Sequence, residues 1–458
     1  MLSFCSTCCH PAMPAVDADP EAARGFALQV VSRLREAGHE ALWAGGCVRD
    51  ELLSRTPADY DVATSAKPDA VRELFGRRRT LAVGAAFGVI TVVGPRGAGH
   101  VEVTTFRTDA AYTDGRHPAG VRFSTPQEDA QRRDFTINGL FFDPLAGKVH
   151  DYVGGKADLE KGVVRAIGVA SQRFAEDHLR MLRAVRFTAG FGFALEAETR
   201  AAIERMAPRV TSVSPERIAA ELRLMVTRRG RAAALQLLLD TGLAAEVLPE
   251  VALPGGSAVS QDRWRLATQV LAALDEPSLS AALATLVDIA AAPGGLSGAD
   301  GPPLRRPHSQ TIAAIGSRLR LSNDETATAD WLLAAVRQFK TLMEPAGAAA
   351  AAWSNLQPWL ADRRASELAD LLRARAGNGL GRAETAAWVT AQLARPREEL
   401  DPPPLLSGHE LMAEGVAKGR DVGRWLAAIR RLQLDGKLTS KEDAIIWLAQ
   451  QPRHDSTA

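Results

Sequence analysis

The chain has 458 residues, with 55 Lys and Arg against 54 Asp and Glu, and a formal net charge of +1. At roughly 150 residues a domain, this length predicts about three domains. No apolar run reaches about 18 residues, which excludes a membrane-spanning helix. Because the net charge is close to zero, a nucleic-acid-binding surface would need a local concentration of arginine and lysine.

Residues 1–20 contain three of the four cysteines, in the sequence C-S-T-C-C-H. This is not a haem-attachment motif, because Cys9 intervenes before His10. A zinc site would need further ligands, and Cys47 is the only other cysteine. We therefore expect a disordered leader, with Met13 as an alternative start. The few cysteines and the lack of a secretion signal predict a cytoplasmic protein.

A helix is predicted over residues 22–38, where apolar residues recur at helical spacing and Gly38 favours its end. Residues 39–44 then read as a strand that leads into Gly45-Gly46. Glycine has no Cβ, so backbone amides at this point can approach a phosphate closely. A helix that begins there would direct its free N–H groups at the phosphate, and Arg49 could contact two phosphate oxygens.

A pair of carboxylates, Asp59 and Asp61, follows this short helix. Residues two apart in a strand point to the same side, and oxygen ligands suit Mg²⁺. A glycine pair or an isolated D-x-D is more often an ordinary turn. Their occurrence together, joined by one amphipathic helix, predicts a nucleotide-phosphate and metal site.

After a helix that begins at Lys67-Pro68, two further strands are predicted at residues 87–93 and 100–106. Alternation in the second strand makes Glu102 either a third carboxylate of the site or a solvent-facing strand residue, and both readings stay open. Residues 107–122 have no periodicity and many turn formers. A connection of this length is expected to be mobile or functional.

Two adjacent arginines, Arg132 and Arg133, precede the apolar sequence F-T-I-N-G-L-F-F, which anchors them to a buried segment. The first domain is predicted to end at a glycine-rich hinge, Gly154-Gly155. Residues 171–191 are predicted to form one helix that ends at Gly190. Four charged residues recur on it every third position and form a shallow spiral along one side: Asp177, Arg180, Arg183 and Arg186. Alone, this pattern is more typical of a charged solvent face.

The remainder of the chain has helical periodicity, and residues 198–240 supply a basic stripe that favours RNA binding. Its members are Arg205, Arg209, Arg217, Arg223, Arg228, Arg229 and Arg231. Loops are predicted at 254–260 and 292–308, and a proline-rich linker precedes a last helical segment that begins at Leu405.

The motifs G-G-C-V-R-D, D-Y-D, V-E-V-T-T-F-R, R-R-D-F-T-I-N and E-D-H-L-R-x-L-R-A-V-R-F occur in this order. Together they closely resemble the bacterial class II tRNA nucleotidyltransferase and poly(A) polymerase family. The likeness is strong from about residue 25 to 240, returns in the tail and is weak between 250 and 390. It implies an α+β fold: a polymerase β-like nucleotidyltransferase head with a small mixed sheet and helices, followed by all-α neck, body and tail regions.

The domains implied by the resemblance are a leader at 1–20, a head at 21–155, a helical neck at 156–240 with the base reader and an RNA-binding region, a helical body at 241–395 and a tRNA-binding tail at 396–458. Asp59 and Asp61 match the catalytic carboxylates that hold Mg²⁺. The matching nucleotide-binding positions are Gly46, Arg49, Arg133, Asp177, Arg180, Arg183 and Arg186.

Within that set, Asp177 and Arg180 match the pair that reads the base. A carboxylate accepts from the exocyclic amine of cytosine or adenine, whereas uracil and guanine present a carbonyl there. The pair would therefore accept CTP and ATP and reject UTP and GTP. The segment at 107–122 matches one that helps the family's pocket change from C to A.

The implied function is template-independent transfer of CMP and AMP to the 3′ end of tRNA, by attack of the 3′-hydroxyl on the α-phosphate with two-metal assistance. The implied partners are tRNA, ATP and CTP, with no membrane and no stable protein partner. Alternatives that stay open are an A-adding enzyme, a poly(A) polymerase, a transferase acting on a small hydroxyl compound and an inactive RNA-binding module. The chain ends Q-P-R-H-D-S-T-A, without the long basic tail of the polymerases.

Overall fold

The computed structural model describes residues 19–109, 121–252, 258–291, 308–343, 352–416 and 419–451. The predicted leader, the centre of the 107–122 segment and most of the two predicted loops at 254–260 and 292–308 lie outside these residues. The chain divides into two compact units near residue 254, with Arg318–Arg320 grouped with the first. Among the described helices, none is both long and apolar enough to cross a membrane.

A mixed β-sheet forms the centre of the first unit. The strands of this unit are β1 Ala41–Ala44, β2 Asp61–Thr64, β3 Thr80–Leu81, β4 Val89–Val93, β5 His100–Thr105, β6 Arg107–Asp109, β7 Val121–Phe123, β8 Leu140–Asp143, β9 Lys148–Asp151, β10 Val163–Val164 and β11 Ala194–Leu195. Seven of the described strands form one sheet in the order β3-β4-β5-β2-β1-β8-β9. Only β2 and β5 are parallel neighbours in it. The predicted small mixed sheet is confirmed.

The central position of β1 follows from its composition. All four of its residues are buried, as expected for a short apolar strand covered on both faces. It pairs antiparallel with β2 on one side and with β8 on the other. Because β1 and β2 are neighbours, the glycines that follow β1 and the carboxylates that begin β2 lie at the same end of the sheet.

The helices of the first unit are α1 Pro20–Glu36, α2 Gly46–Leu52, α3 Pro68–Phe75, α4 Pro126–Gln131, α5 Gly155–Lys161, α6 Ala170–Glu176, α7 Leu179–Phe191, α8 Ala197–Met206, α9 Pro215–Val226, α10 Arg231–Asp240 and α11 Leu243–Val247. The predicted helices after residue 22, after Gly45 and at Pro68 are confirmed. Helix α1 ends just before Gly38, which has a positive φ of 84°.

The prediction of one continuous helix over residues 171–191 is wrong. The chain is extended at Asp177, which separates α6 from α7. The Asp177 carboxylate accepts a hydrogen bond of 3.1 Å from the backbone N–H of Leu179, a local bond that competes with helix continuation. Helix α7 also ends later than predicted, at the left-handed Gly192 and not at Gly190.

The region predicted to be an all-helical neck contains a small sheet as well, because β10 and β11 pair in parallel. Gly155, predicted to lie in a hinge, is closely packed. A Cβ at this position would lie 2.1 Å from the carbonyl oxygen of Thr136. The Asp151 carboxylate accepts from four successive backbone N–H groups at the start of α5. Close packing and hydrogen bonds therefore fix the chain between β9 and α5 in this structure.

The regular secondary structure in the described residues of the second unit consists of helices alone. Its helices are α12 Ala258–Ala272, α13 Leu279–Ile289, α14 His308–Leu319, α15 Asn323–Met343, α16 Trp353–Leu360, α17 Ala365–Gly377, α18 Ala383–Leu393, α19 Arg397–Leu400, α20 Gly408–Ala413, α21 Arg420–Leu434 and α22 Lys441–Ala449. The last three enclose a small apolar core that includes Leu411, Ile429 and Leu448.

Candidate active site

Two guanidinium groups flank the glycine pair at the end of β1. Gly45 has φ 74° and ψ −123°, a conformation that favours glycine, and α2 begins at the next residue. A Cβ on Gly45 would lie 2.7 Å from Nη1 of Arg133, and a Cβ on Gly46 would lie 3.7 Å from Nη2 of Arg49. The absence of side chains at both glycines leaves room for these arginines beside the free N–H groups of α2.

Arg133 is held in place by a fully buried carboxylate. Asp129 in α4 pairs with Arg133 at 3.1 Å and with Arg132 at 2.8 Å, and its own side chain has 0% exposure. It also accepts a 3.3 Å hydrogen bond from the backbone N–H of Arg107, at the start of the 107–122 segment. Burial alone would raise the pKa of Asp129, but the two guanidinium groups outweigh burial and lower it.

Arg49 lies in a similarly confined position. It pairs with Asp50 at 2.8 Å, donates to Oδ1 of Asn138 at 2.7 Å and lies 4.6 Å from the ring centroid of Phe191. These contacts orient a cation beside Gly46, although they also occupy part of its hydrogen-bonding capacity.

The two predicted metal carboxylates lie at the start of β2, with Asp61 as its first residue and Asp59 just before it. Partial removal from water and the negative charge of Asp50 raise the pKa of Asp59, which nevertheless keeps an exposed surface. Burial, with the charges of Asp61 and Asp59, raises the pKa of the Cys47 thiol to about 12. The thiol therefore stays protonated, and the donors available here are oxygens.

Glu102 lies directly opposite Asp61 across the parallel β2–β5 pair. Side chains in such register point to the same side of the sheet, which places three carboxylates at this end. Within the described ranges, however, no group of three or more His, Cys, Asp or Glu side chains is arranged to hold a metal ion. The assignment of Glu102 as a third ligand stays open.

The predicted base-reading residues have separate partners in this structure. Asp177 forms a two-pronged ion pair with Arg217 of α9, at 2.7 and 3.2 Å. Arg180 instead pairs with Glu176 at 2.5 Å and donates to the backbone oxygen of Arg132 at 3.3 Å. The break between α6 and α7 thus turns Asp177 toward α9.

Arg183 and Arg186 of α7 are largely covered and form ion pairs. Arg183 contacts Asp134 at 2.7 Å, and Arg186 contacts Glu221 of α9 at 2.6 Å. Both guanidinium groups lie over the ring of Phe187, at 5.2 and 4.2 Å from its centroid. Burial would raise the pKa of Asp134, but the charge of Arg183 outweighs burial and lowers it to about 2. The carboxylate is therefore ionised at neutral pH.

A chain of polar contacts joins the two halves of the site. Asn138 accepts from Arg49 and donates to Asp134 at 3.1 Å, and Asp134 in turn accepts from Arg183. Glu221 continues the network, 3.8 Å from Arg183 and bonded to Arg186. The structure therefore brings Arg49, Arg183 and Arg186 into one network, although they lie far apart in the sequence.

Sequence reasoning missed the carboxylates that hold these arginines: Asp129, Asp134 and Glu221. A signal existed for Asp134, which directly follows Arg133 in R-R-D-F-T-I-N. Glu221 is a buried charge on the same helix as the buried Ile218 and Leu222, and only the structure shows which cation it meets. Two members of the predicted basic stripe, Arg217 and Arg231, also point inward, since both are largely buried.

Two family descriptions match the first unit. Residues 41–165 match the "Poly A polymerase head domain", and residues 192–253 match the "Probable RNA and SrmB- binding site of polymerase A". Among curated relatives, the CCA-adding enzyme of Bacillus subtilis is 45% identical over 222 residues, 48% of this chain and 55% of that protein. The enzyme of Geobacillus kaustophilus is 43% identical over 218 residues, 47% and 53% of the two chains. The chain thus matches about half the length of these curated relatives.

Solved structures extend the likeness to the whole fold. The crystal structure of the Bacillus stearothermophilus CCA-adding enzyme in complex with CTP has a TM-score of 0.72 and 28% identity, covering 94% of this chain and 97% of that one. The Thermotoga maritima CCA-adding enzyme complexed with tRNA has a TM-score of 0.57 at 18% identity, covering 95% and 96%, a likeness of fold. Residues 41–165 and 192–253 therefore match domains of the poly(A) polymerase family, and the fold of the chain is similar to that of the CCA-adding enzymes.

Proposed function

We propose that this chain is a CCA-adding tRNA nucleotidyltransferase, which transfers CMP and AMP from CTP and ATP to the 3′ end of tRNA. The observation that carries the proposal is the connected site of the first unit. Its polar contacts join Arg49, beside Gly45-Gly46, to Arg183 of α7, and Asp59 and Asp61 lie at the start of the strand next to β1, at the same end of the sheet. The likeness to a CCA-adding enzyme crystallised with CTP supports the same reading.

The phosphate end of the site follows from charge and geometry. Free N–H groups at the start of α2 and the guanidinium of Arg133 offer donors to triphosphate oxygens beside the Cβ-less Gly45-Gly46. Arg49 places a second cation next to them. These groups would hold the nucleotide with its α-phosphate near the carboxylates of β2 and stabilise charge on the departing pyrophosphate.

Asp59 and Asp61 are the residues that would hold Mg²⁺. The donor set fits, because both side chains offer oxygens, the neighbouring thiol is protonated, and Mg²⁺ commonly takes one or two carboxylates together with water and substrate phosphates. When bound, the ion would supply Lewis-acid polarisation of the α-phosphate and favour deprotonation of the 3′-hydroxyl. Burial and the negative charge of Asp50 both disfavour the ionised form of Asp59 and raise its pKa, so a bound cation would stabilise that carboxylate.

For base selection we propose Asp177 and Arg180. The Asp177 carboxylate would accept from the amine of cytosine or adenine, and Arg180 would donate to a ring nitrogen. Because each residue has a protein partner in this structure, binding of the base requires at least partial exchange of the Arg217 and Glu176 contacts. The arginine-rich neck would supply part of the affinity for tRNA.

The decisive experiment uses tRNA transcripts that end before CCA and transcripts that end in CC. Each is incubated with CTP, ATP or both in the presence of Mg²⁺, and the products are sequenced. Addition of CCA to the first and of a single A to the second is expected. Growth of an oligo(A) tail without a stop would make the protein a poly(A) polymerase, and addition of A alone would make it an A-adding enzyme. If the folded protein incorporates no nucleotide, the proposed CCA addition and its two alternatives are all refuted.

Asp177→Ala tests the base reader directly. An unpaired acceptor in a base-reading site costs of order 1–3 kcal/mol, so its removal should reduce discrimination against UTP and GTP by roughly 5- to 150-fold. Relative kcat/KM values for the four nucleotides measure the effect. Glu204→Ala, which removes an exposed ion pair with Arg200 in α8, is the matched control. Unchanged rejection of UTP and GTP by Asp177→Ala would refute the assignment.

A further inference from the structure

A run of three arginines, Arg77–Arg79, takes no part in the site described above. It forms one turn of 3₁₀ helix between α3 and β3, and all three side chains are exposed. Within the described part of the chain, none of the three guanidinium groups has an ion pair or side-chain hydrogen bond. This contrasts with Arg133, Arg183 and Arg186, each of which is held by a carboxylate whose side chain is at most 11% exposed.

The run lies at the catalytic end of the sheet. Thr80 of β3 pairs with Val92 of β4, which pairs with Val101 of β5. Because Glu102 pairs with Asp61, Thr80 lies level with the residue just before Asp61. Arg79 directly precedes Thr80, so it continues outward at the same end as Asp59. Three strand spacings separate β3 from β2, which corresponds to about 14 Å between the arginine run and the carboxylates.

The segment that carries these arginines has no negative charge of its own. Residues 74–101 contain four arginines and no Asp or Glu. The fourth, Arg96, is also exposed. It lies in the turn that connects the end of β4 to the start of β5, and this turn is at the catalytic end of the sheet. Glu73, one helical turn before Arg77, forms no ion pair with the run in the described structure. A concentration of exposed, unpaired arginine is the arrangement that binds a polyanion.

We propose that Arg77–Arg79 and Arg96 form a binding surface for the phosphate backbone of the RNA substrate, beside the nucleotide site and separate from it. The surface lies too far from Gly45-Gly46, beyond the whole of β4, β5 and β2, to contact the phosphates of the same nucleotide. Exposed arginines that no carboxylate fixes suit backbone contacts, which position RNA without reading its sequence. This inference deepens the proposed function and rests on it for the identity of the RNA.

The test measures the dissociation constant of a tRNA transcript for the full chain, as a function of salt, by fluorescence anisotropy without nucleotides. Simultaneous Arg77→Ala, Arg78→Ala and Arg79→Ala substitutions are compared with the corresponding three Arg→Lys substitutions. The slope of log K against log salt is negative, and each lost phosphate contact reduces its magnitude by roughly 0.7 to 0.9. The magnitude should therefore be smaller by about 2 to 3 in the alanine variant. Its Kd should rise at least about tenfold near physiological salt, whereas the lysine variant keeps most of the affinity and the slope.

Two outcomes would overturn the proposal. One is an unchanged Kd and salt slope in the alanine variant. The other is self-association of that variant while its monomer binds RNA normally. That result would mean that the arginines prevent the short edge strand β3 from pairing with another chain. CCA addition by the unaltered chain is assayed in parallel. If that addition fails while the alanine variant still loses RNA affinity, the proposed function fails and the RNA-binding surface stands.

Discussion

Replacement of Asp129 should disturb both the stability of the first unit and its affinity for nucleotides. Its carboxylate is fully buried and neutralises Arg132 and Arg133, whose side chains are each 12% exposed. Asp129→Ala would leave two nearly buried cations without their shared counter-charge. Loss of one partner from a buried pair costs about 3–5 kcal/mol. Asp129→Asn keeps the volume and one acceptor but loses the charge, so a loss of about 1.5–3 kcal/mol is expected, the value of a hydrogen bond to a charged group.

The functional consequence follows from the position of Arg133 beside Gly45. Arg133 would keep a 3.3 Å bond to the backbone oxygen of Asn138 and its contact with the ring of Phe141, but no carboxylate would fix its direction. We therefore expect KM for CTP and ATP to rise together, with a smaller effect on kcat. A merely structural role would lower the active fraction, and hence kcat, without this rise in KM.

The assay combines urea unfolding, followed by hydrogen exchange in peptides of the first unit, with steady-state kinetics. Glu204→Gln is the control, because its ion pair with Arg200 is about 44% exposed and should contribute less than about 1 kcal/mol. If Asp129→Asn unfolds within about 0.5 kcal/mol of the unaltered protein and its KM values are unchanged, the buried carboxylate does not position Arg133.

Two further substitutions test the same framework. Gly45→Ala combines a positive φ of 74° with a Cβ 2.7 Å from Arg133, so KM for both nucleotides should rise, whereas Gly190→Ala, with no atom within 4 Å of its Cβ, should be neutral or stabilising in thermal unfolding. Asp134, with a pKa of about 2 against an ordinary 3.8, should contribute about 2 kcal/mol of stability above pH 4, lost as pH falls through 2. The difference in unfolding free energy between Asp134→Asn and the unaltered protein should therefore shrink from pH 4 downward; a difference that does not depend on pH would exclude the Arg183 ion pair as its cause.

Much of the first unit could be predicted from sequence because its signals are local. The glycine pair, the start of α2 and the strand character of β2 and β5 depend on neighbouring residues and on period-two patterns. The break at Asp177 could not be predicted in this way. Helical spacing continues through E-D-H-L-R, and a side chain that bonds to the next turn leaves no trace in that periodicity.

The partners of the site arginines could not be predicted either. The pairs Asp177–Arg217 and Arg186–Glu221 join residues 40 and 35 positions apart, and only the packing of α9 against α7 brings them together. Likewise, the arginine pattern predicts that Arg217 belongs to an RNA-binding basic stripe, whereas it lies in an ion pair with 12% of its side chain exposed. Charge patterns predict which residues are charged but not which opposite charge each one meets.

The ion pairs of Asp177 and Arg180 have a consequence for selectivity. If Asp177 and Arg180 read the base as proposed, an incoming base does not enter a vacant site but competes with Arg217 and Glu176 for groups that already have partners. The preference for one base over another would then be the difference in free energy between two such exchanges of partners. Small changes in α9 that strengthen or weaken the internal partner would change the threshold that every nucleotide must exceed, without any change in the residues that touch the base.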